Sequence, residues 1–343
     1  MQPLAIILMG CGVIIMALHS LNLRWLVHKR EGKQIIAEIP LLAIEFAVSF
    51  LLLSPFIFFW DSIVGYFSVP IRPDQTWFWR GVTLTTFANL VIQYAGAKAK
   101  AEAHGEVSLV APIQALTPGL ITVTALFLGE RLSALGWIAL LLISGGVYVH
   151  ARWEASAKTL YEWLLPLAFW IWFLPHRGLL SEEEKSKRRA LRWSYLGAVF
   201  GAVGLLGDGL SARHGNLPLA FAIQALVMAV VYACAVPLTK SSWQVDRTCV
   251  SVKFDPRWMV ALLGLLFAAH IFTVQTAFML SPIAVIGTLK RVRILVEVPL
   301  ARFVLGEKKA LGRRLWVAIL VAIGAIILAL DDKSPAVFTY LER

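Results

Sequence analysis

Three cations and a carboxylate stand within one apolar run of this chain: Lys290, Arg291, Arg293 and Glu297 in GTLKRVRILVEVPL, residues 287–300. Fixed positive charge in a water-poor setting is chemistry for holding an anion or marking an ion pathway. Read as an α-helix at about 3.6 residues per turn, Lys290, Arg293 and Glu297 fall on one stripe, with Gly287 a turn earlier. Arg291 lies about 100° away from Lys290. Glu297, four residues on, pairs with Arg293, which leaves Lys290 and Arg291 without an obvious partner in the helix. Two solutions compete. Either Glu45 and Asp208 neutralise the surplus cations from other segments, or an anionic substrate supplies the missing charge. A cation at the centre of a membrane helix costs roughly 2.5–3.5 kcal/mol on insertion scales, so such a cluster points to substrate binding.

Further polar residues interrupt apolar segments: His19 and Asn22, Asn89 and Gln93, Gln114 and Thr117, Gln224, and His270, Thr273 and Gln275. Each taken alone suits an interhelical hydrogen bond. As a set they line a polar cavity, with Gln93, Gln114 and His270 as the expected cavity partners of the cations. His19, Glu45, Asp208 and Glu297 are the expected charge-pairing or coupling residues, and His19 and His270 can relay protons. Cys11, Cys234 and Cys249 show no metal-ligand spacing. The chain has no phosphate-binding Gly-rich loop, no GxSxG elbow and no HExxH. No enzyme activity, cofactor or metal is expected.

The elements that position these residues follow from composition. Of 343 residues, 59% are hydrophobic and 15% charged, far from the balance of a soluble domain. Ten apolar segments approach the roughly 20 residues needed to cross a bilayer: about 3–23, 39–59, 80–98, 106–128, 134–150, 193–212, 217–238, 258–280, 282–305 and 313–330. The sequence thus predicts an all-α polytopic membrane protein with ten transmembrane helices. The first segment has no basic region before it and reads as a retained span rather than a signal peptide. Between the fifth and sixth, residues 151–192 carry the Trp-rich LYEWLLPLAFWIWFLPH, read as an interfacial helix or re-entrant piece. The run SEEEKSKRR at 181–189 is read as a solvated loop facing anionic lipid. The formal net charge of +11 records orientation against the bilayer rather than nucleic-acid binding, since no soluble basic domain is present.

An internal repeat organises the chain. Leu128-Gly129-Glu130 and Leu305-Gly306-Glu307 lie 177 residues apart, each closing an apolar segment and each followed by an ALG and another segment. Gln93 falls opposite His270 at the same offset. Lys290, Arg291 and Arg293 fall opposite Ile113, Gln114 and Leu116, so the scaffold itself does not require cations there. Two halves of five spans each must insert upside down relative to one another, an architecture that places substrate near the midplane at their interface. The expected units are a first five-helix repeat at 1–150, a connecting segment at 151–192, a second repeat at 193–331 and a tail at 332–343.

The paired LGE-terminated spans and the Pro118 to Glu130 spacing resemble the EamA-type members of the drug/metabolite transporter superfamily, most clearly over 93–149 and 270–330. Leu295 stands where the first half has Pro118. The resemblance implies ten helices in two five-helix halves around a central cavity. Within it, GTLKRVRILV is similar to the basic pair of organophosphate translocators of the triose-phosphate type, with Glu297 an additional charge. That likeness implies a substrate bearing phosphate or carboxylate, oriented by the guanidinium forks of Arg291 and Arg293, with Lys290 adding a point charge.

Of the 32 Lys and Arg residues, 22 lie in connections after odd-numbered spans and 6 after even-numbered ones or in the tail. By the positive-inside rule both termini face out, whereas the resemblance implies cytoplasmic termini; the reading here follows the charge. The expected function is secondary transport of a small anionic or phosphorylated metabolite by alternating access in a bacterial inner membrane. Proton or exchange coupling is expected, in a monomer or homodimer, with no nucleic-acid partner. The alternatives are an exporter of neutral or zwitterionic metabolites such as amino acids, a translocator of phospholipid or polyprenyl phosphate, and a non-transporting membrane scaffold.

Overall fold

Short polar side chains set the start of several helices. Asp74 accepts hydrogen bonds from the backbone N–H of Thr76 and Trp77 at 2.9 and 3.1 Å, and Asn216 accepts from Leu219 N–H at 2.9 Å. Both satisfy donors that the first turn of a helix leaves open. A computed structural model describes residues 3–28, 34–60, 74–114, 116–117, 120, 133–154, 181–244, 255–280, 289–307 and 311–330. Among them the chain is all-helical, with ten α-helices and one 3₁₀ turn: α1 Pro3–Val27, α2 Glu38–Leu53, α3 Gln75–Ala101, α4 Val107–Gln114, α5 Ala134–Glu154, α6 Glu182–His214, α7 Leu217–Leu238, α8 Pro256–Leu280, the turn Lys290–Arg293, α9 Ile294–Leu305 and α10 Leu311–Leu330.

Five of the helices are long and apolar enough to cross a membrane: α1, α5, α6, α7 and α8. The distribution of side chains agrees with that property. Phe58 is 85% exposed, Leu238 84%, Phe303 80% and Trp258 76%, whereas Arg152, Arg314, Glu45 and Glu297 are buried. Water would not tolerate so many large apolar side chains on one surface, and buried charges persist only with partners.

Two apolar cores flank the centre of the bundle. Leu26, Leu42, Phe46, Met228 and Leu263 join α1, α2, α7 and α8, where Phe46 meets Phe267 edge-on at 5.0 Å. Leu109, Ile113, Val147, Ala198 and Val321 join α4, α5, α6 and α10. The most extensive helix pair is α3 on α6, drawn together at Gly81 and Gly207. A Cβ at Gly207 would stand 2.6 Å from Thr85 N and 2.8 Å from Gly81 O, so only glycine lets the two backbones approach this closely.

Three expectations change. The run 181–189 is not a loop: it forms the first turns of the 33-residue helix α6. A capping box of Ser181 and Glu184 starts it, and Lys185–Glu182 at 2.7 Å and Lys187–Glu183 at 3.2 Å brace it at helical spacing. The second segment is interrupted at Ser54 and Pro55 after α2 ends, where proline has no N–H to offer the ladder. The cations of 290–293 lie on a 3₁₀ turn ahead of α9 rather than mid-α-helix. The Trp-rich piece at 160–176, Leu128-Gly129-Glu130 and Pro118 lie outside the described residues.

Candidate functional site

The tighter winding of the Lys290–Arg293 turn eclipses residues three apart, so Lys290 and Arg293 look the same way. Both line a central cavity of about 90 Å³. The opposite wall is α6, where Gly197, Gly201 and Gly204 withhold side chains and so leave the space. The volume lies well below the roughly 300–1,000 Å³ of pockets that enclose drug-sized ligands. As it stands, the cavity suits a small polar group.

Arg293 is buried and donates from Nη2 to Gln114 Oε1 at 2.9 Å, and its Nε lies 3.6 Å from Glu297 Oε2. Glu297 is fully buried behind the wall. Neither of its oxygens has a hydrogen-bond partner among the described residues, so its pairing with Arg293 is electrostatic. Gln114 lines the cavity as well, which places the α4 amide and the guanidinium side by side.

On α1, His19 faces the cavity while its Nε2 lies 2.8 Å from Glu45 Oε1 of α2. Phe267 packs on the His19 ring at 5.8 Å. His270 of α8 lines the cavity and is anchored through Nδ1, 3.2 Å from Gly12 O. Gln93 and Asn89 of α3 line it too. Toward the far end, Thr85 donates to Asp208 Oδ1 at 2.5 Å, and Asn89 donates to Thr85 Oγ1 at 3.3 Å and to Gln224 Oε1 at 3.4 Å.

Of the two carboxylates considered from sequence as counter-charges, Glu45 is paired with His19 of α1, and Asp208 accepts a hydrogen bond from Thr85. Lys290, Arg293, Gln93, Gln114, His270, His19 and Asp208 converge on one cavity. Glu45 and Glu297 stand behind its wall. The side chain of Arg291, the remaining expected ligand group, lies outside the described residues.

One charged cavity residue escaped the sequence reading. Lys100, in the last turn of α3, is buried at 6% exposure and lines the same cavity, within electrostatic reach of Glu297, Arg293 and Glu45. It resembled a loop cation because AKAKA ends a span. The available signal was its spacing, since Asn89, Gln93, Gly96 and Lys100 recur every three to four residues and so share a helix face. Lys100 lies 15 residues beyond Thr85 on α3, about 22 Å at a rise of about 1.5 Å per residue. The cavity therefore carries Lys100 near one end and Asp208 near the other.

Beyond Lys100 the bundle is closed by arginine hydrogen bonds and ion pairs. Arg24 donates to the backbone carbonyls of Lys100 and Glu102, and Arg189 pairs with Glu102 at 3.0 Å. Arg314, 1% exposed, meets Glu154 through two bonds of 2.9 Å and also contacts Glu106. Glu307 accepts from Val107 N–H at 2.8 Å and Ser108 N–H at 3.1 Å, satisfying the open donors of α4.

No family model matches the chain, and no curated protein matches it. Among 22 matching chains of solved structures is a crystal structure with a TM-score of 0.57 and 17% identity, covering 95% of this chain and 98% of its own. At that identity the likeness bears on fold alone.

Proposed function

We propose that this chain is a multi-pass membrane transporter of the drug/metabolite type that moves a small anionic or phosphorylated metabolite by alternating access. The convergence of Lys100, Lys290 and Arg293 on one buried cavity carries the reading. The cations come from α3 and from the segment before α9, so an anion held between them touches both halves of the chain.

Packing supports the inverted repeat. Shifting every helix by five exchanges like contacts: α1 packs on α8 as α6 packs on α3, and α1 meets α9 as α6 meets α4. The pairs α2–α7 and α5–α10 map onto themselves. This symmetry supports reading α2, α3, α4, α9 and α10 as further spans beside the five apolar ones. The Arg24, Arg189 and Arg314 contacts gather at the Lys- and Arg-rich end, and polar contacts of this kind provide a seal that can open and re-form. By the charge count, that end is cytoplasmic.

Asp208 favours a second reading. A carboxylate at the far end of a cavity that begins with Lys100 suits a zwitterion, with its anionic group toward the cations and its amine toward Asp208.

A thermal-unfolding screen of purified protein with phosphorylated metabolites, their dephosphorylated forms and amino acids tests both. A ligand at a hundredfold its Kd stabilises by about 2.7 kcal/mol. Stabilisation by the phosphorylated members that vanishes in Arg293→Gln is the expected outcome. Equal stabilisation of wild type and variant would rule out the proposed site, and a response to amino acids lost in Asp208→Asn would favour the zwitterion.

A further inference from the structure

We infer that His19 and Glu45 form a proton-binding site in the wall of the cavity, through which transport of the anion is coupled to a proton. The inference rests on the anion reading above. Glu45 is 0% exposed in the middle of α2, behind His19, and does not itself reach the cavity. One of its oxygens is held by His19 Nε2 at 2.8 Å, and the other has no hydrogen-bond partner among the described residues. An interhelical tie would be served by a neutral amide. A carboxylate sealed from solvent against an imidazole, with one oxygen open, forms a pair that can hold a proton where an amide could not.

The pair holds one proton or none. Empty, with neutral imidazole and carboxylate, it puts a negative charge beside the cavity. Loaded, as imidazolium and carboxylate, it is neutral overall. His19 alone of the two faces the cavity, so a proton and an anion reach the site by the same route. Other charged or titratable groups face the pair from each packed helix: Lys100 from α3, Tyr232 from α7, His270 from α8, and Lys290 and Arg293 from the turn before α9. Asp208 of α6 lies at the cavity's far end. An anion entering among the fixed cations is repelled by the empty pair and not by the loaded one. Anion binding therefore favours protonation and protonation favours anion binding, by the same factor.

The experiment uses sulfate, whose charge is constant between about pH 5 and 8, the window in which a histidine titrates. Wild-type protein in weakly buffered detergent is expected to take up protons when sulfate binds. Its sulfate affinity should fall as pH rises, approaching tenfold per pH unit at the steepest point. The double variant His19→Gln/Glu45→Gln should bind sulfate with a flat pH profile and without proton uptake. Sulfate binding by wild type with a flat profile and no uptake would overturn the coupling and leave the anion reading standing. Undiminished uptake in the double variant would place the proton elsewhere and also overturn it. Failure of wild type to bind sulfate at any pH would remove the anion reading and the coupling together.

Discussion

Arg293 and Gln114 are joined by a 2.9 Å hydrogen bond between α4 and the turn before α9. The bond aims the guanidinium along the cavity wall while Glu297 balances it from behind at 3.6 Å. A cation meant only for packing would turn toward its carboxylate. This one is shared, with one edge to an amide and one to a buried acid.

Arg293→Gln is therefore expected to do two separable things. Anion binding is lost, and stability falls by about 3–5 kcal/mol because Glu297 is left buried without its counter-charge. Adding Glu297→Gln should recover most of the stability and none of the binding. Chemical unfolding and ligand-induced thermal shifts on the single and double variants separate the two effects. Binding restored by the second substitution would mean that Arg293 is structural.

Lys100→Met should show the reverse balance. A buried ammonium contributes little to stability and its replacement by an apolar chain is often neutral or favourable, so unfolding should be unchanged or slightly harder. For an anion held roughly 8–10 Å away at an effective dielectric of about 20, the lost attraction is about 2 kcal/mol, or roughly thirtyfold in affinity. Titration of the purified variant with the best anionic ligand checks the figure. Unaltered affinity would remove Lys100 from the site.

Much of this arrangement was legible in the sequence, and the exceptions share a cause. Apolar length marked the helical segments, because apolar surroundings leave a strong compositional trace. Helical phase inside a charged stretch leaves none. The run 181–189 looked like a loop because its charges hide the pairs that make it a helix, and Lys100 looked like a loop cation because its face is set by residues a full turn back. The 3₁₀ winding at Lys290–Arg293 depends on what the turn packs against, which no local pattern records. Nor could spacing reveal that Glu45 goes to His19, since the partner is 26 residues away on another helix.

Gly207→Ala tests the close α3–α6 contact. The added methyl would meet backbone atoms at 2.6 and 2.8 Å, which cannot rotate aside, so the helices must separate. The expected loss is about 1–3 kcal/mol. Gly145→Ala, on α5 with nothing within 4 Å of the new atom, is the control, and it should be stabilising by about 0.4–1 kcal/mol. Equal effects in paired denaturation curves would show that the contact is not tight.

The Leu305-Gly306-Glu307 turn shows why its last two positions take these residues. Gly306 ends α9 at φ 71°, a left-handed conformation that a Cβ disfavours by roughly 1–2 kcal/mol, and open space around it leaves backbone strain as the only cost of substitution. Glu307 then accepts from Val107 N–H, Ser108 N–H and Ser108 Oγ, so its carboxylate caps α4 and lies beside the Arg314 cluster through Ser108. Gly306→Ala should cost about 1–2 kcal/mol, and Gly306→Asn less, because asparagine tolerates this conformation. Glu307→Ala should cost about 0.5–2 kcal/mol for the lost cap, with the damage confined to α4. Hydrogen exchange resolves the two: Gly306→Ala should speed exchange at the end of α9, and Glu307→Ala at Val107 and Ser108. Exchange at Val107 and Ser108 that stays slow in Glu307→Ala would show that the carboxylate does not hold α4.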